Sequence, residues 1–131
     1  MVASSILAAF MRAGDLVLCD EACCYGVLSG LQASRAHVKF FGHNDMCDLA
    51  QLLAIVEAAD SWRPWRRLQR RFIVVEGLYQ QTGLLAPLRE VLALAERFRY
   101  RVFVEESMSF GVLGATAVSY THLTLPTILR V

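Results

Sequence analysis

The chain has 131 residues and a formal net charge of +1, from 13 Lys and Arg against 12 Asp and Glu, which is about one domain's length and gives no overall attraction to nucleic acid. Hydrophobic residues make up 56% and charged residues 19%, with 8 Gly and 3 Pro; disorder is excluded over most of the chain, because enough apolar surface exists to offset the entropy of ordering it. A surplus of this size suits a parallel sheet buried on both faces, or a piece of a larger protein whose other surfaces are covered by segments or subunits.

Leu16 to Cys19 is a short apolar run entered from the turn-prone Gly14-Asp15 and left at Asp20-Glu21, and it reads as a buried strand. A helix is expected from about Cys24 to Ala33, then a second strand from His37 to Phe41. Gly42-His43-Asn44-Asp45 offers a turn with Asn44 or Asp45 as the next helix N-cap. Leu49, Leu52, Leu53 and Val56 then fall on one helical face, which marks a core stripe. From Ala59 to Arg71 the pattern breaks into Arg63, Arg66, Arg67, Arg70 and Arg71 with Trp62, Pro64 and Trp65 between them. Such a segment is most simply a solvated connection, with nucleic-acid contact, through phosphates and stacking on bases, or contact with an anionic membrane as the alternative.

Phe72 to Val75 is the strongest strand signal, ending at Glu76-Gly77, and a long excursion from Leu78 to Leu85 follows it. Pro87 suits the first turn of a helix in which Leu88, Val91, Leu92 and Ala95 share a face, with Arg97 and Arg99 complementing the carboxyl end of the dipole. Arg101 to Val104 returns as a strand and delivers Glu105 and Glu106 at its end. Strands alternating with helices, with connections too long for hairpins, predict an α/β fold with a parallel sheet. Functional residues in such sheets gather at the carboxyl ends of the strands, here Asp20 to Cys24, Gly42 to Asp45, Glu76 to Thr82 and Glu105 to Gly111.

Several chemistries have no support in the residues. There is no G-x-G-x-x-G and no P-loop, and Gly26 to Gly30 does not place a serine at the centre of a nucleophile elbow. Cys19, Cys23, Cys24 and Cys47 have neither zinc-knuckle spacing nor the spread of a disulfide framework, so reduced thiols and no metal site are expected. Met1 to Met11 lacks the basic region and cleavage site of a secretory signal. The longest stretch without Asp, Glu, Lys or Arg, residues 107–129, is interrupted by seven Ser and Thr, His122 and Pro126 and reads as loop-like rather than membrane-spanning.

The strand ends resemble those of the α-oxoamine synthases, pyridoxal-phosphate enzymes with the aspartate-aminotransferase (fold type I) architecture. The carrying stretches are Asp20-Glu21-Ala22-Cys23-Cys24, His43-Asn44-Asp45, Glu76 to Gly83 with Ala86-Pro87-Leu88, and Glu105 to Gly111. The resemblance implies that this chain is a fragment of that fold's large domain, residues 1–115, and that residues 116–131 form a tail foreign to the family. Val118 to Thr127 resembles translated adapter read-through, with a splice variant as the alternative. It also implies altered cofactor positions. Cys24 stands where the family has the histidine that stacks on the pyridine ring, and Glu105 where an aspartate pairs with the pyridine nitrogen. Met108 replaces a second histidine, and Thr82 the aspartate of an Asp-Gly pair.

Within that family, Gly30 to Arg35, Arg71 to Tyr79 and Glu105 to Gly114 are similar to the lysine-lacking, long-chain-base subunits of eukaryotic serine palmitoyltransferase. The resemblance implies a subunit without catalytic residues of its own. Its heterodimer partner would be the lysine-bearing catalytic subunit, which condenses L-serine with palmitoyl-CoA to 3-ketosphinganine on pyridoxal 5′-phosphate. The full-length protein is then expected at the cytosolic face of the endoplasmic reticulum membrane, anchored through regions missing here, with no nucleic-acid partner and no cofactor bound by this chain alone. The only lysine, Lys39, lies in a predicted strand, and the family's Schiff-base lysine would fall beyond residue 131. An active α-oxoamine synthase with substituted pocket residues is the alternative, and a binding module using Arg63 to Arg71 a third reading.

Overall fold

The structure is a computed structural model and describes residues 7–79, 81–105 and 128–130, with the backbone alone for Arg66, Arg67 and 128–130. In chain order it comprises β1 (Leu16–Asp20), α1 (Tyr25–Ser34), β2 (His37–Phe41), α2 (Met46–Trp62), a 3-10 helix (Pro64–Leu68), β3 (Arg71–Glu76), α3 (Leu88–Phe98), β4 (Arg101–Glu105) and β5 (Ile128–Arg130). The sheet runs β2-β1-β3-β4-β5 with all neighbours parallel. The expected α/β alternation is therefore the architecture, and β5, which the sequence pattern does not announce, adds to β4 with Val102 opposite Ile128.

The apolar runs read as buried strands are buried throughout: every residue of β1, and Phe72 to Glu76 of β3, is shielded from solvent. β2 differs because it is an edge strand, paired with β1 alone. His37, Lys39 and Phe40 are exposed there, and a lysine on an open edge opposes pairing with other chains. Lys39 lies beside Leu18 in the strand register, on an edge and not at a strand end.

Helix ends follow local chemistry. Asp45 caps α2 by accepting from the Asp48 N–H at 3.0 Å, as the turn predicted. Leu49, Leu53 and Val56 are buried and Leu52 partly so. Helix α1 starts one residue later than expected, with Cys24 as its N-cap, and α3 starts at Leu88 with Pro87 as its cap. Leu88, Val91, Leu92 and Ala95 form the buried face of α3, which packs beside α2.

Two ion pairs fasten the amino-terminal edge of the sheet. Arg70 binds Asp15 at 2.6 Å and lies over the rings of Phe10 and Phe72. Arg71 makes a two-pronged pair with Asp60, both contacts at 2.6 Å, at 11% and 4% side-chain exposure. The arginine run is thus only partly the solvated connection expected from its sequence, because its last members are structural.

Candidate functional site

The strand order places a topological switch between β1 and β3: the chain leaves β1 outward to β2, then crosses back over β1 to β3 and β4. A crevice opens outside the carboxyl ends of strands at such a point. Asp20 ends β1, Glu76 ends β3 and Glu105 ends β4, all within 4% exposure. Glu76 and Glu105 are direct neighbours in the parallel register.

Asp20 organises one side of this region. Its Oδ1 accepts from the Ala22 N–H at 2.8 Å and lies 3.0 Å from His43 Nδ1, while Oδ2 accepts from the Asn44 N–H at 2.9 Å. His43 Nε2 is in turn 3.0 Å from Thr82 Oγ1, and its ring meets Tyr79 edge-on with centroids 4.5 Å apart. The contacts run carboxylate, imidazole, hydroxyl, in the order of a hydrolase triad. Their evident work is mechanical: Thr82 Oγ1 also accepts from the Leu84 N–H, and Asn44 Nδ2 donates to the Leu85 carbonyl. The excursion after β3 is thereby tied to the loop after β2. Gly83 at φ 72° makes the tight return possible, and Tyr79 N–H closes it on the Leu84 carbonyl.

Asn44 itself takes a left-handed conformation at φ 53°, tolerable for an asparagine, which is how the His-Asn-Asp turn brings both His43 and the Asn44 N–H to Asp20. Tyr79 is fully buried, and burial, with Cys23 and Asp20 adding to it, raises its phenol far above the ordinary value.

The second side joins Cys24 to Glu76. Glu76 Oε1 accepts from the Cys24 N–H at 2.8 Å, which satisfies one of the amide groups that α1 leaves open at its start. Burial and then the neighbouring Glu76 carboxylate raise the Cys24 thiol, keeping it protonated. The Cys23 thiol is also raised, by its hydrogen bond with Cys19 and then by burial. The three cysteines are buried, whereas Cys47 is exposed.

Among the substituted positions flagged by sequence, Cys24, Thr82 and Glu105 all lie at the carboxyl end of the sheet, on three different strand exits; Met108 lies outside the described residues. The joint work of His43 and Asp20 has little trace in the sequence, where His43 reads as part of a turn; the carboxylate of Asp20 at the end of a buried apolar run is the one signal for it. No cluster of His, Cys, Asp and Glu able to hold a metal occurs among the described residues.

No family model matches the chain. It is 46% identical over 110 residues to long chain base biosynthesis protein 1c of Oryza sativa subsp. japonica, covering 84% of this chain and 22% of that protein. It is 40% identical over 114 residues to serine palmitoyltransferase 1 of Saccharomyces cerevisiae, covering 87% of this chain and 20% of that protein. Among solved structures it is similar to the serine palmitoyltransferase of S. paucimobilis with a bound PLP–myriocin aldimine, at TM-score 0.69 and 27% identity over 84% of this chain and 25% of that one. The chain thus spans about a fifth of the length of the curated relatives it matches. Its sequence identity and its parallel α/β fold agree, and over the matched residues the chain is a homologue of a segment of the proteins named long chain base biosynthesis protein 1 and serine palmitoyltransferase 1.

Proposed function

We propose that the chain is a segment of the non-catalytic subunit of serine palmitoyltransferase, one that shapes the site of a lysine-bearing partner condensing L-serine with palmitoyl-CoA. In this reading the carboxyl end of the sheet is a support surface. The complete protein works at the cytosolic face of the endoplasmic reticulum, attached through regions outside the matched segment.

The observation that carries the reading is Cys24. At the position where the family stacks a histidine ring on the cofactor there is a buried thiol, drawn to Glu76 by its own backbone N–H at 2.8 Å. It offers no ring to stack. Glu105 adds a second mismatch, because its carboxylate carries one more methylene than the family's aspartate and is 4% exposed at the end of β4. A cofactor site needs groups held within about 0.5 Å. The residues at these positions therefore do not fit pyridoxal phosphate, and rigid packing at the strand ends is what they supply.

The test expresses the full-length protein alone and together with a lysine-bearing catalytic subunit, measuring cofactor absorbance after dialysis and formation of 3-ketosphinganine. Both are expected only in the pair, and the two proteins are expected to co-purify. Cofactor retained by this protein alone, with condensation in the absence of a partner, would make it an active synthase and overturn the proposal.

A further inference from the structure

Residues 61–69 read Ser-Trp-Arg-Pro-Trp-Arg-Arg-Leu-Gln, three arginines and no carboxylate. Helix α2 ends at Trp62, and Pro64, whose fixed φ suits a first helical turn, opens the 3-10 helix Pro64–Leu68. Side chains three apart eclipse in such a helix, so Trp65 and Leu68 share one face. They are 67% and 89% exposed, and Trp62 is 85% exposed. Single exposed apolar residues are ordinary, but three large ones within seven positions form a patch that calls for an occupant.

The turn is held in place from behind. Arg70 and Arg71 come directly after it and are clamped on Asp15 and Asp60, at the start of β3. Since Asp20, Glu76 and Glu105 terminate their strands, the patch lies at the opposite, amino-terminal edge of the sheet, and whatever covers it leaves the carboxyl end accessible.

We propose that residues 62–68 form an interfacial anchor that docks on an anionic lipid membrane. Trp62, Trp65 and Leu68 enter the headgroup layer, and the sequence charge of the turn, three arginines with no acid between them, supplies the attraction to phosphates and anionic headgroups. An indole has an apolar body and a polar N–H and is favoured where one end is dry and the other wet. Arginines without an intervening acid complement a negatively charged leaflet. A single-stranded nucleic acid needs a basic groove that tracks its backbone, and a chain of net charge +1 with one short basic turn does not supply it. The contact rests on the membrane and does not cross it, since no helix among the described residues is long and apolar enough to span. The inference stands on residues 61–69 and is independent of the function proposed above.

Trp62 and Trp65 are the only tryptophans in the chain, so intrinsic fluorescence reports on the proposed contact alone. The 131-residue chain is titrated with phosphatidylcholine vesicles containing roughly 30 mol % phosphatidylserine, and with vesicles of phosphatidylcholine alone. Expected are a blue shift and quenching by lipids brominated near the headgroup, with much weaker binding to the neutral vesicles. Each arginine contributes roughly fivefold in partition, so Arg63→Gln/Arg66→Gln/Arg67→Gln lowers binding about a hundredfold. Trp62→Ser, read through Trp65, weakens binding to both vesicle types. Vesicle binding without a tryptophan shift places the contact elsewhere on the chain and overturns the proposal, as does absence of binding. Tighter binding and stronger quenching by a single-stranded oligonucleotide than by anionic vesicles overturns it in favour of nucleic acid.

Discussion

Asp20 is the residue on which the loops at the carboxyl end depend, and Asp20→Ala tests that dependence. The carboxylate is 1% exposed and accepts two backbone N–H groups, those of Ala22 and Asn44, at 2.8 and 2.9 Å, besides facing His43 Nδ1 at 3.0 Å. Alanine leaves both amides without an acceptor in a place with little water, each costing about 1–3 kcal/mol, and releases His43 from its partner. The expected loss is about 3–6 kcal/mol, a large share of the stability of a small domain. Asp20→Asn keeps one carbonyl oxygen and is expected to lose about half as much. Urea unfolding gives the totals, and amide hydrogen exchange at Ala22, Asn44 and Leu84 separates local from global opening. Equal stability of the alanine and asparagine variants, with unchanged protection at Asn44, would refute the argument that Asp20 holds the two loops together.

Asp60→Ala removes the two-pronged carboxylate from the largely buried Arg71 guanidinium at the amino-terminal edge of the sheet and is expected to cost about 3–5 kcal/mol, whereas Asp60→Leu/Arg71→Met is expected to cost far less; a double-mutant cycle in urea measures the difference. Against a soluble disulfide reagent at neutral pH, one thiol, Cys47, is expected to react at once and Cys19, Cys23 and Cys24 only on unfolding, with mass spectrometry assigning the sites. Burial pushes the Tyr100 phenol up to about 12 from an ordinary value of 10.0, with Arg71 opposing. Its stabilising contribution is therefore complete below pH 10.0 and is lost as pH rises through about 12. The loss is about 3 kcal/mol at most; Tyr100→Phe removes this part of the alkaline slope in urea titrations and leaves the part due to Tyr79, whose phenol is also raised by burial.

Much of the fold was legible because burial leaves a one-dimensional trace. Leu16 to Cys19 and Phe72 to Val75 are apolar without alternation because both faces of their strands are covered, and the structure buries them all. The α2 and α3 stripes could be read from helical spacing, and the Asp45 cap from the turn that precedes it. Helix starts near Cys24 and Pro87 slipped by a residue, because neither makes a side-chain capping bond that would mark the boundary.

Sequence by itself determined the α/β class, the parallel order of strands and helices, and the set of strand ends where Cys24, Thr82 and Glu105 gather, since periodicity and turn chemistry act over neighbouring residues. Only the tertiary structure decided which ends meet. The register of β1 against β2 and β3 brings residues 23 and 39 positions apart into the Asp20–His43–Thr82 line, and pairs Cys24 with Glu76 across 52. It also separated the arginine run by role, binding Arg70 and Arg71 to buried carboxylates at the end of a turn whose Trp62, Trp65 and Leu68 lie in solvent. These contacts are long-range, set by how strands align and loops close, and no local pattern in the chain encodes them.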